Sequence, residues 1–112
     1  MATYEFFVSL PVTEAADRIV DQIVNNTASG ELVDQHALHQ PNGNCRILVF
    51  ERYYWRASNR VTLTVTVDDF TGRTRVHTVG SGGSEAAFFR FDWGASASFA
   101  GLPQKALADF IC

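Results

Sequence analysis

The sequence predicts an α+β domain: an antiparallel meander of about five to six strands with two helices packed on one face. Three observations predict it. Apolar residues alternate with polar ones in several short runs, most cleanly in Val61, Leu63, Val65 and Val67 against Thr62, Thr64 and Thr66. One segment, Ala16, Ile19, Val20, Ile23 and Val24, repeats at helical spacing instead. Turn residues such as Pro41-Asn42-Gly43-Asn44 and Asp68-Asp69-Phe70-Thr71-Gly72 separate the runs by too few residues for parallel crossovers. At 112 residues the chain is long enough for one core and one domain, spanning residues 1–112.

The elements follow in order. Thr3 to Leu10 sets Tyr4, Phe6, Val8 and Leu10 on one face, a strand ended by Pro11. Thr13 is placed to cap a helix, and Glu14 and Asp17 in its first turn favour the helix dipole. That helix fades through Asn25-Asn26-Thr27, with Gly30 available as a left-handed stop. Glu31 to Gln40 reads as a strand. After the Asn-Gly turn, Cys45 to Arg56 is a long strand. Ala57 to Arg60 turns it into Val61 to Val67. Arg73 to Val79 is the next strand, followed by the small-residue loop Gly80 to Ser84 and a sixth strand from Glu85 to Asp92. Leu102, Ala106, Leu107, Phe110 and Ile111 are helically spaced, and Pro103 suits a first helical turn.

Register is expected to sort the long strand. Placing Trp55 opposite Val61 lets Tyr53 and Trp55 face the helices and puts Arg52, Tyr54 and Arg56 outside with the threonines. Leu48 and Phe50 then fall on the outer face, which would need partial cover from the chain itself or a partner. Glu51 falls on the helix side, among apolar neighbours. It is expected to be a partnered carboxylate near an edge, accepting from an Arg or Tyr on a neighbouring strand; burial without a partner would instead raise its pKa towards general acid–base use.

Composition narrows the classes. No apolar run reaches the length of a membrane-spanning helix, and Met1 to Phe7 lacks the basic flank of a signal peptide. Cys45 and Cys112 form no metal or redox motif and read as free thiols of a reducing compartment, so a cytoplasmic protein is expected. The net charge of −3 does not suggest a general nucleic-acid binder, and neither a nucleic-acid nor a membrane partner is expected. Charge is uneven, though: residues 1–44 hold one Arg against six acids, and residues 46–90 hold seven Arg against four. Lys105 is the only lysine.

Residues 80–93 hold the densest signal. Ser81-Gly82-Gly83-Ser84 leads into Phe88-Phe89, joining permissive backbone to bulky packing material. Such a loop can cradle an anion through backbone N–H groups or simply close a hairpin. No Gly-Lys-Ser/Thr follows, so it is no nucleotide phosphate loop. His36 and His39, three apart on a strand, point to opposite faces, so no metal is expected. No nucleophile–base pairing is legible, and neither catalytic residues nor cofactors are assigned.

Three motifs carry a resemblance: Glu51-Arg52-Tyr53, Asn59-Arg60-Val61-Thr62-Leu63-Thr64-Val65, and Ser81-Gly82-Gly83-Ser84-Glu85-Ala86-Ala87-Phe88-Phe89. Together they resemble a family of short bacterial proteins of unknown function, over nearly the whole chain. The resemblance implies a bacterial, intracellular, single-domain protein and supplies no activity.

Three functions are therefore open. The first is a non-catalytic domain binding a small apolar molecule or lipid between sheet and helix, by analogy with helix-grip proteins. Its pocket would be lined by Tyr53, Trp55, Phe88 and Phe89, with Glu51 or the loop Ser81, Gly82, Gly83 and Ser84 as polar contact. The second is a protein-interaction or self-association module using Phe50, Arg52, Tyr54 and Arg56, which allows a homo-oligomer. The third is an enzyme using Glu51.

Overall fold

The computed structural model describes residues 2–26, 30–54, 59–82 and 99–112. Five strands, β1 (Ala2–Val8), β2 (Gly30–Gln40), β3 (Gly43–Tyr54), β4 (Asn59–Asp68) and β5 (Thr74–Gly82), form one sheet in the order β1-β5-β4-β3-β2. Every pairing is antiparallel. Helix α1 (Val12–Asn26) links β1 to β2, and a short helix α2 (Leu102–Ala106) precedes a 3₁₀ turn at Ala108–Phe110. The sixth strand expected at Glu85 to Asp92 lies outside the described residues.

The core grows from the alternation. Val61, Leu63, Val65 and Val67 of β4 are fully buried, as are Leu48 and Phe50 of β3 and Val76 of β5. They join Ala15, Ala16, Ile19 and Ile23 of α1 and Phe99, Ala100 and Leu107 of the C-terminal segment in one cluster. Val24, which the helical stripe includes, is exposed. Thr78, fully buried on β5, places its hydroxyl 3.4 Å from the carbonyls of both Tyr4 and Ala100, which satisfies a polar group inside this core.

The helix begins earlier than its capping signal implies. The Ala15 N–H donates to the Pro11 carbonyl at 2.9 Å, so Pro11 occupies the capping position and Thr13 lies inside the first turn. The C-terminal helix starts at Leu102 as its spacing predicts, with Pro103 in the first turn, but ends at Ala106. Beyond it Ile111 forms an antiparallel bridge with Val8. Phe110 and Ile111 therefore serve the sheet edge and not a helix face. Arg18 of α1 stacks on Phe110 at 4.7 Å, which helps hold that end down.

The register of β3 is the main correction. Phe50 pairs with Leu63 and Leu48 with Val65, while Tyr53 pairs with Arg60 and Glu51 with Thr62. Leu48 and Phe50 thus point into the core, and Tyr53 and Glu51 share the outer face with the threonines. The register centred on Trp55 and Val61 is overturned: Val61 pairs with Arg52. Volume explains the choice. The centre of the helix–sheet interface requires large wholly apolar side chains, and Leu48 and Phe50 lie opposite the middle of β4. Arg46 and Arg52 fall at the two ends of that inner row. There Arg46 reaches Asp17 of α1 at 3.7 Å and hydrogen-bonds Gln35 of β2.

The thiols differ sharply. Cys45 is buried and Cys112 exposed, and both are free. Desolvation, reinforced by the nearby Asp68 carboxylate, raises the pKa of Cys45. A thiol-reactive dye at neutral pH should label Cys112 rapidly and Cys45 only after denaturation. Two equally fast labelling phases in the folded protein would contradict this packing. The sign of the shift also makes Cys45 a source of alkaline destabilisation. Below the ordinary thiol pKa it has no effect; above it the unfolded chain ionises first and stability falls.

Candidate functional site

The outer face of the sheet, opposite α1, gathers several of the residues singled out by sequence. Strand alternation places Glu51 and Tyr53 of β3, Arg60 and Thr62 of β4 and Ser81 of β5 at one corner of it. Thr62 pairs with Glu51 on one side and with Ser81 on the other, so these three form a row across three strands. The Thr62 hydroxyl lies 3.1 Å from both the carbonyl and the hydroxyl of Ser81. One row further out, Arg60 Nη1 donates to Glu51 Oε1 at 2.6 Å. The same guanidinium lies 5.8 Å from the centre of the Tyr53 ring.

Exposure sets what this corner can do. The Arg60 side chain is 68% exposed, and Tyr53 is 44% exposed. Glu51 is more sheltered at 28%. Glu51 is thus a partnered carboxylate on the outer face, held by an arginine of the neighbouring strand. The corner offers a cation, a phenol ring and two hydroxyls side by side. Arginine in such a setting suits planar anions, and the ring supplies an apolar platform.

The other singled-out residues distribute differently. Phe50 is core and contributes nothing to an outer interface. Arg52 lies on the inner face at the end of β3, and Tyr54 closes the ladder opposite Asn59. Gly82 belongs to β5, so the strand runs further into the Gly80–Ser84 segment than the alternation implies. Its φ is +126°, and an added Cβ would lie 2.4 Å from the Arg60 carbonyl oxygen. The glycine there serves close approach of β5 to β4. Trp55, Arg56, Gly83, Ser84, Phe88 and Phe89 lie outside the described residues.

A second polar cluster on the outer face escaped the sequence reading. Asp68, at the end of β4, is buried and accepts from Arg75 Nε and Nη2 of β5 at 3.2 and 3.1 Å. The adjoining Asp69 accepts from the Asn44 backbone N–H at 2.7 Å. These bonds clamp the β4–β5 turn to the start of β3. Their signal was present as an Asp and an Arg flanking one turn. His77 of the same face lies 3.1 Å from Glu5 on β1. His36 and His39, paired with Ile47 and Asn44 respectively, point to opposite faces as their spacing predicts.

An open groove lies apart from both clusters, where α1 and Ala106 of α2 meet. Its volume is about 660 Å³ and its walls include Thr13, Glu14, Asp17 and Arg18. No described helix is long and apolar enough to cross a membrane.

No curated protein matches the chain. The similarity that does hold spans almost its whole length. Residues 1–111 match one family model, and on that match the chain belongs to DUF6054, a family of unknown function.

Proposed function

We propose that the protein is a non-catalytic binding domain that takes a small molecule with an apolar body and one carboxylate, fatty acids included, on the outer face of its sheet. The observation that carries this is the convergence of Arg60, Tyr53, Thr62 and Ser81 from three strands on one corner. Arg60 engages Glu51 through one nitrogen, and its guanidinium has further donors for a ligand carboxylate. Tyr53 would carry the apolar body, and the two hydroxyls would fix its orientation. In this reading α1 and α2 grip the opposite face and give the site a rigid backing. The free thiols of Cys45 and Cys112 are compatible with a reducing compartment, and a bacterial cytoplasmic location is part of the proposal.

Titration of the ¹⁵N-labelled protein with indole-3-acetate and with octanoate tests it. The amides of Tyr53, Arg60, Thr62 and Ser81 should shift together, and Arg60→Ala should weaken binding about tenfold, the loss of one charge-assisted contact. Millimolar probe leaving all four amides unmoved would end this reading.

A further inference from the structure

The two edges of the sheet are treated differently. β1 is covered on its free side at the Phe7–Ser9 end by the C-terminal residues. Val8 bridges Ile111, the Ser9 N–H donates to the Phe110 carbonyl at 2.8 Å, and the Cys112 N–H donates to the Phe7 carbonyl at 3.0 Å. β2, the other edge, has no strand on its free side among the described residues. It is also the longer edge, at eleven residues against seven.

Half of β2 is protected as edges usually are. A register shift between Leu32 and Asp34 makes a bulge at Val33, and Glu31 and Asp34 flank it. The other half is bare. Gln35-His36-Ala37-Leu38-His39-Gln40 holds no Lys, Arg, Asp, Glu or Pro, and every one of its side chains is exposed. Its pairing with β3 is regular from Asp34 to Gln40. A straight, uncharged, exposed edge is a template for another strand.

We propose that this edge pairs with the same edge of a second copy, antiparallel and centred on Ala37, to join two five-stranded sheets into one. The reading is independent of the ligand site on the outer face. Three features select the partner and register. Pairing about Ala37 uses the whole regular stretch beyond the bulge, from Asp34 to Gln40. It puts the smallest side chain on the two-fold axis, Gln35 beside His39 of the other copy and Asp34 beside Gln40, so no like charges face each other. The ladder also fits. A two-residue turn at Pro41–Asn42 makes Gln40 and Gly43 a hydrogen-bonded pair, so by alternation the N–H and C=O groups of Gln35, Ala37 and His39 point away from β3. Under the two-fold these are the groups that meet. Seven residues a side fall short of a standard interface of about 1,600 Å², so association in the micromolar range is expected.

Sedimentation equilibrium of the intact chain, from about 1 μM to 1 mM, tests this. The wild type should pass from the 12.4 kDa chain mass to twice that value. Ala37→Lys sets two lysines against each other on the axis, and Ala37→Pro removes an N–H that the monomer's own ladder does not use. Each should raise the dissociation constant at least tenfold while leaving the thermal midpoint of the dilute monomer within a few degrees. Gln104→Lys, an equal charge change on exposed α2, should leave it unchanged. A wild type that stays monomeric at 1 mM overturns the proposal. So does a dimer that survives both Ala37 variants.

Discussion

Phe50→Ala is expected to cost about 3–5 kcal/mol of stability, and Tyr53→Ala less than about 1 kcal/mol. The two residues are three apart on one strand, and the contrast follows from which face each occupies. Phe50 is fully buried opposite Leu63, and it packs in the cluster that joins α1 to the sheet. Truncation there loses the transfer energy of the ring and leaves a cavity that a close-packed interior closes only in part. Tyr53 loses only a half-exposed ring and a loose stacking contact with Arg60. A domain of this size has about 5–15 kcal/mol in total, so Phe50→Ala should lower the thermal midpoint by about 15 °C or more. Thermal melts of the two variants decide the register of β3. A larger loss for Tyr53→Ala would restore the arrangement in which the aromatic end of the strand faces the helices.

That register was the part of the fold least legible in the sequence, and the reason is physical. β4 has only one apolar face, so Val61 to Val67 declare their side unaided. β3 is apolar on both faces: Leu48 and Phe50 alternate with Ile47 and Val49. A two-sided strand specifies its register weakly, because a one-residue slip exchanges one apolar set for the other. Aromatic bulk at Tyr53 pulled the sequence reading outward along the strand, whereas the deciding requirement is volume at the centre, in the cluster that Leu48 and Phe50 share with Ile19 and Ile23 of α1. The helix α1, the hairpin at Pro41–Asn42 and the antiparallel connectivity were legible because each rests on local chemistry. The strand order rests on distant pairings such as Val8 with Thr74, and the cover of the end of β1 by Phe110 to Cys112 on contacts about a hundred residues apart. The same split runs through the site. Glu51, Tyr53, Ser81 and Gly82 stood out by type, but their meeting with Arg60 and Thr62 required the register. Phe50 was assigned outward by the same slip that assigned Tyr53 inward.

Gly82→Ala carries the second large expected effect, because two independent constraints act at one atom. With φ at +126°, a side chain at residue 82 occupies a backbone conformation costing about 1–3 kcal/mol for any non-glycine residue. Its Cβ would also lie 2.4 Å from the Arg60 carbonyl oxygen and 3.1 Å from the Val61 Cα. Those are backbone atoms, so no rotamer change relieves the overlap; β4 or β5 must move. The pairing that would open is Val61 with Gly82, adjacent to the Thr62–Ser81 hydroxyl contact. The thermal midpoint should therefore fall by about 5 °C or more, and the amides of Arg60, Thr62 and Ser81 should lose hydrogen-exchange protection before those of Val65 and Val76. The strand at this point is glycine because it approaches its neighbour too closely for a side chain, and flexibility for a ligand is not required to explain it. A Gly82→Ala protein that melts with the wild type and keeps its β4–β5 amides protected would show that residue 82 can adopt another conformation without loss. The close approach would then no longer explain the glycine.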